Sequence, residues 1–129
     1  MSPAARSLFV FGLYAILAGL GLVVAPAMVL GLLGFPAVAT TDGWVRVVGV
    51  LAVCVGCYHI VAARNELSSY LRASVPVRIG FALGLGALVV AGFMPRALLL
   101  FAVIDLLGAV WTAWALRRPQ AATAAARAV

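Results

Sequence analysis

The chain has 129 residues, of which 67% are hydrophobic and 9% charged, where an ordinary soluble domain carries roughly 25% charged residues. Nine arginines, two aspartates and one glutamate, with no lysine, are too few to cover the surface of a globule of this length, which excludes a water-soluble fold. A helix needs about 20 apolar residues to cross the hydrocarbon core of a bilayer, so the chain has room for four or five crossings in one membrane domain.

From Ser7 to Ala25 the sequence is one apolar stretch closed by Pro26, which predicts the first transmembrane helix. A secretory signal is the alternative, with Ala25-Pro26-Ala27 resembling an Ala-x-Ala cleavage site. The apolar run exceeds the roughly 7–15 residues of a signal core, and proline holds the middle of the lookalike, so the segment is expected to be retained. Pro26 to Gly43 is apolar but interrupted by Pro26, Gly31, Gly34 and Pro36. Within it, Met28 to Phe35 is too short to cross and predicts a short interfacial helix or a shallow re-entrant turn. Thr41 or Asp42 can cap the second span, residues 44–63, with Trp44 at the interface. Leu67 to Val75 reads as a polar connector, and Pro76 as the start of the third span, 77–94. Pro95-Arg96 makes a hairpin into the fourth span, 97–116, and 120–129 is an Ala-rich tail. The predicted fold class is all-α: an integral-membrane antiparallel four-helix bundle forming one domain over 1–119.

Four spans put both termini on the side of the 64–76 connector, with Arg6, Arg64, Arg72, Arg78, Arg117, Arg118 and Arg127, and leave Arg46 and Arg96 on the other. The positive-inside rule then places both termini in the cytoplasm. The net charge of +6 is topogenic, with some attraction to anionic lipid headgroups. Nucleic acid is not an expected partner, because no basic stripe interleaved with aromatics is present.

Lipid tails give helices no hydrophobic drive to associate, so contacts depend on small residues. Gly12, Ala15 and Gly19 supply such a face on the first span, Gly49, Gly56 and Ala63 on the second, and Gly80, Gly84, Ala87 and Ala91 on the third. Asp105, Gly108, Thr112 and Ala115 share one stripe of the fourth.

Asp105 lies eight residues into the fourth span, roughly 12 Å along the axis and near the midplane. A carboxylate there costs at least about 2.5–3.5 kcal/mol and must find a partner or a proton. Arg46 is the expected partner, entering from the same outer face, and the pair would fix helix register or serve a proton relay or ligand. Tyr14, Tyr58, His59, Arg78 and Thr112 form a second group, all in the cytoplasmic half by depth. Either they converge on a cavity for an amphipathic ligand, or His59 is a neutral hydrogen-bonded residue and Arg78 snorkels to the headgroups. Tyr58 and His59 point about 100° apart on a helix, so both cannot face one narrow site.

Cys54-x-x-Cys57 reads as small packing residues, since thiolates are disfavoured at that depth and no further ligand adjoins them. One histidine offers haem a single imidazole. No metal, cofactor or catalytic residue is expected, as the chain has no triad pattern, phosphate loop or dinucleotide fingerprint.

The run from Gly19 to Phe35, Trp44-Val-Arg46-Val-Val-Gly49, Arg78-Ile-Gly80 and the acidic Asp105 together resemble small four-helix bacterial membrane proteins of the DoxX-like and related unknown-function groups. The resemblance implies a four-helix bundle in the bacterial inner membrane, with Arg46 near the start of the second helix and Asp105 in the last as its recurring polar positions. Some members are associated with quinone-linked or redox partner complexes. The leading functional expectation is an accessory or scaffold subunit of a membrane complex, meeting lipids and either a membrane-protein partner or a second copy in a symmetric dimer. The alternative is binding or transport of a small hydrophobic or amphipathic molecule, lipid or quinone-like, at Asp105, Arg46 and the Tyr58, His59 and Arg78 region. An enzyme using His59 or Asp105 as a general base ranks third, since no nucleophile or metal motif accompanies either residue.

Overall fold

A computed structural model describes residues 1–35 and 42–117 of the chain. The expected cap at Thr41 or Asp42 rests on residue 41 and the residue 42 side chain, and that cap, like the tail from residue 118, lies outside the described part. Ser2 starts the first helix: its hydroxyl accepts the Ala5 amide at 3.2 Å, and Pro3 fills the first turn, where no amide donor is needed. The helix α1 (Pro3–Val24) therefore begins a turn before Ser7. Pro26 drives the preceding Ala25 out of helical geometry, to φ −137° and ψ 58°, and opens a new seven-residue helix, α2 (Pro26–Leu32). Three further helices follow: α3 (Asp42–Arg64), α4 (Ser68–Val90) and α5 (Leu99–Arg117), the last entered through a 3-10 turn at Arg96–Leu98. The described residues contain no strand.

The start of α4 corrects the sequence reading, in which Leu67 to Val75 was a connector. Pro76 lies inside the helix. A proline there removes one hydrogen bond, to the carbonyl four residues back, but Pro76 is exposed while Leu71, Ser74, Arg78 and Ala82 form one continuous buried face past it. Packing along that face outweighs the local break. Beginning at Ser68 also carries Arg78 about 15 Å along the helix axis, far from the surface position that a start at Val77 would give it.

Two tight reversals join the long helices. At the end of α4 the Phe93 amide reaches the Leu88 carbonyl at 3.0 Å and the Gly92 amide reaches Val89 at 3.1 Å, with Gly92 at φ 78°. This cap stops α4 at Val90, short of the expected Met94. The same double bond pattern closes α3, with Leu67 to Ala62 at 3.0 Å and Glu66 to Ala63 at 3.1 Å, but the left-handed residue is Glu66, at φ 48°. A side chain in that region is strained by about 1–2 kcal/mol. What the glutamate supplies in return is a tie to α1: its carboxylate accepts the Ser2 amide at 2.8 Å.

Four helical stretches, Pro3–Val24, Gly43–Arg64, Ser68–Val90 and Arg96–Arg117, are long and apolar enough to cross a membrane. Their outer faces carry exposed Leu17, Val50, Leu83, Leu107 and Val110, a distribution suited to a hydrocarbon solvent. Most of the buried apolar side chains are alanines. Ala4, Ala5, Leu8, Ala62, Ala63, Leu71 and Ala115 make one cluster where α1, α3, α4 and α5 come together.

The tightest contact joins α1 to α3. A β-carbon on Gly19 would lie 2.6 Å from the Gly49 carbonyl oxygen, and one on Gly49 would lie 2.7 Å from that of Gly19. Gly12 and Gly56 are related in the same reciprocal way, at 2.9 and 2.7 Å. Each glycine thus seats the backbone of the facing helix, as the small-residue faces of the first two spans predict. The third span differs. Gly80 and Gly84 have open space where a β-carbon would stand, and no residue of α4 beyond Ala82 is buried. Side by side the helices run α3, α1, α5, α4: among the described residues the backbone of α3 makes no close approach to that of α5 and meets α4 only sparsely. The bundle is open along the α3/α4 edge.

Gly19→Val and Gly56→Val are each expected to destabilise the protein by about 1–3 kcal/mol in a detergent unfolding titration, through overpacking against backbone. Gly80→Ala should be neutral or gain up to about 1 kcal/mol from helix propensity. Equal effects at both places would contradict the asymmetry. The Ser2 amide holds the Glu66 carboxyl below its ordinary range. A folded-state value below the unfolded one means that this tie is intact above the unfolded value and is lost as pH falls through the folded one. Glu66→Gln should therefore lower the melting temperature at neutral pH and flatten its decline on acidification.

Candidate functional site

Opposed charges and small residues on α4 and α5 build the interior. Arg78 and Asp105 are 4% and 7% exposed, and Arg78 Nε stands 3.5 Å from Asp105 Oδ1. That is longer than the roughly 2.8 Å of a tight charge-assisted hydrogen bond, so the two attract chiefly as charges in a low-dielectric setting. Gly108, one turn beyond Asp105, makes the space: a β-carbon there would overlap Arg78 Nη2. On its other side the guanidinium carbon lies 3.5 Å from the centroid of the Phe11 ring on α1, a cation–π contact. The cation is thus held between α1 and α5 while belonging to α4.

A second polar contact ties α1 to α5. Ser7 Oγ and Thr112 Oγ1 lie 2.9 Å apart, both buried, while Ser7 also faces the Ala4 carbonyl at 2.8 Å and Thr112 that of Gly108 at 2.9 Å. Two hydroxyl protons serve three contacts, so one hydroxyl donates within its own helix and the other donates across.

His59 on α3 completes the group. Its Nδ1 lies 2.7 Å from the Val55 carbonyl, and a carbonyl can only accept, so Nδ1 carries the proton. Nε2 is left with its lone pair, buried and without a partner. Around it stand Phe11, with ring centroids 5.4 Å apart, and Tyr70 of α4, edge-on at 5.6 Å; Tyr14 packs on Phe11 at 5.6 Å.

Of the seven sequence candidates, the structure gathers Arg78, Asp105, His59 and Tyr14 beside Phe11, and places Thr112 two turns beyond Asp105 on α5. Tyr58 is 66% exposed and faces away from His59's side of α3. Arg46 is not the partner of Asp105. It is exposed and donates through Nη1 to the Val23 carbonyl, satisfying the end of α1, where helix carbonyls lack amide donors. The correction is topological: Arg46 rides on α3, whose backbone makes no close approach to α5 among the described residues. Nor does Arg78 snorkel, since the longer α4 brings it level with Asp105. Cys54 and Cys57 are exposed on the outer face of α3 and are not packing residues within the chain. Among the described residues no three His, Cys, Asp or Glu side chains gather to hold a metal.

Sequence reasoning passed over Phe11, Ser7 and Tyr70. Ser7 carried a readable signal, as a hydroxyl within an apolar helix that has to find a buried partner. Phe11 carried none, being one apolar residue among many. A shallow groove of about 310 Å³ lies apart from this group, lined by Val110, Ala113, Trp114 and Arg117 of α5.

The chain matches no family model, no curated protein and no solved structure. The geometry accordingly stands by itself.

Removing either member of the pair, by Arg78→Leu or Asp105→Leu, is expected to cost about 3–5 kcal/mol by stranding the other charge. The double variant should cost far less than the two together, whereas Arg46→Leu combined with Asp105→Leu should be additive within about 0.5 kcal/mol. Unfolding titrations of the single and double variants measure both cycles, and additivity at 78 and 105 would contradict the pair.

Proposed function

We propose that the protein is a multi-pass protein of the bacterial inner membrane, with both termini in the cytoplasm, that serves as an accessory or scaffold subunit by offering α4 to another membrane helix. The observation that carries this reading is the unclaimed half of α4: Gly80, Gly84, Ala87 and Ala91 are all exposed, with nothing near Gly80 or Gly84. Elsewhere in the same chain a glycine pair of this kind seats a neighbouring backbone, as Gly12 does with Gly56. In lipid a stripe of small residues lets a second helix approach closely enough for dispersion and weak hydrogen bonds to hold it. The open α3/α4 edge leaves that stripe accessible from within the bilayer. A second copy of the chain is the simplest occupant, through a two-fold pairing of α4 with α4.

The arginine distribution supports the orientation: with Arg78 buried in the interior, six of the other eight arginines fall in sequence at the side of the termini and the 64–67 turn. Arg117 and Trp114 line a groove at the end of α5, where an interfacial arginine and indole would meet lipid headgroups on the cytoplasmic side.

The test is association in bilayers. Wild-type protein in nanodiscs or mild detergent should give dimers, or a stoichiometric complex with a membrane partner. Gly84→Leu should weaken that association at least ten-fold while leaving the melting temperature within about 2 °C, since no neighbour within the fold is disturbed. A wild-type particle that is strictly monomeric and brings no partner would overturn the reading.

A further inference from the structure

Three polar atoms of the described interior have no hydrogen-bond partner: Nη1 and Nη2 of Arg78 and Nε2 of His59. The side chains that bear them are 4% and 6% exposed, so water outside the fold does not satisfy them. Their demands are complementary. The guanidinium nitrogens can only donate, and Nε2 can only accept, because the Nδ1 proton is already given to the Val55 carbonyl. Both groups border one ring, with the Arg78 guanidinium over Phe11 at 3.5 Å and the His59 ring 5.4 Å from it. Phe11 packs on Tyr14, on His59 and under the Arg78 guanidinium, Tyr70 packs on His59, and the three aromatic side chains make a wall that is only half-buried. Tyr70 meets His59 across the otherwise sparse contact between α3 and α4.

We propose that this wall receives the head of a single-chain amphiphile bearing a neutral hydroxyl-containing oxygen group, a long-chain alcohol or an un-ionised long-chain carboxylic acid. The oxygen accepts from the Arg78 terminal nitrogens, and the O–H donates to His59 Nε2. The apolar chain lies along the α3/α4 opening. Asp105 selects for a neutral head: it already balances the Arg78 charge, and an anion would be placed beside a buried carboxylate. An ester of the same chain length fits the cation equally well but has no proton for Nε2, which turns the imidazole into the discriminating group. This site is independent of the outward α4 stripe, so each can fail without the other.

The full chain in phosphatidylcholine nanodiscs is titrated with 1-dodecanol, dodecanoic acid, methyl dodecanoate and dodecane, with protein-free discs as the blank. Saturable binding of the alcohol, the acid or both is expected, at least ten-fold tighter than that of the ester or the alkane, and whichever of the two binds more tightly names the natural head group. His59→Phe keeps an aromatic ring against Phe11 and should bring alcohol and acid down to the level of the ester while leaving the ester unchanged. Equal binding of alcohol and ester to the wild type would overturn the proposal, and that comparison needs no variant to fold. So would unchanged alcohol binding in a folded His59→Phe protein, or binding no greater than in empty discs, in which case the three atoms hold only water.

Discussion

A charged pair in an apolar interior is the constraint around which the rest of the molecule is arranged. Arg78 and Asp105 face each other from α4 and α5, and neither can turn outward without carrying its charge into the surroundings of an apolar helix face. Three local features make the pair tolerable: a glycine at 108 that admits the guanidinium, an aromatic ring at 11 that covers it, and a hydroxyl pair at 7 and 112 that holds α1 against α5. Such pairs are poor sources of net stability, because desolvation offsets much of the attraction. What they supply is specificity. One cation and one anion in facing helices define a single register, and any sliding strands both.

The other half of the fold relies on the opposite device. Between α1 and α3 there is no ion pair among the described residues; two reciprocal glycine contacts bring backbones within van der Waals distance, and Arg46 reaches the Val23 carbonyl at their end. α1 is common to both halves, packing through Gly12 and Gly19 on one side and presenting Phe11 and Ser7 on the other. The arrangement explains why the bundle stays open where α3 and α4 face each other: each is committed to a different neighbour, and the glycines of α4 point away from both. Dynamics should follow packing, with the far half of α4, which has no fully buried residue beyond Ala82, the easiest part of the four helices to displace.

Much of this was legible in the residues. Four long apolar segments, the small-residue faces that hold Gly12, Gly19, Gly49 and Gly56, and the stripe of Asp105, Gly108, Thr112 and Ala115 all follow from hydropathy and helical periodicity, whereas the reciprocal pairing of those glycines does not. The partner of Asp105 did not. Depth counting from Pro76 set Arg78 at the surface and made Arg46 the nearest cation, because a proline in sequence reads as a helix start when tertiary packing can carry a helix straight through it. Orientation was likewise readable only in part. The angle between adjacent residues separates Tyr58 from His59, but which of the two faces inward is decided by Phe11, whose role no sequence pattern marks.

The Arg78–Asp105 contact can be measured directly in bilayers by magnetic dipolar recoupling between the labelled aspartate carboxyl carbon and the arginine guanidinium nitrogens. The chain has only two aspartates, so an Asp42→Asn background isolates Asp105. The account requires strong dephasing of that carbon, abolished by Arg78→Lys and untouched by Arg46→Lys. Dephasing that survives Arg78→Lys and vanishes with Arg46→Lys would contradict it.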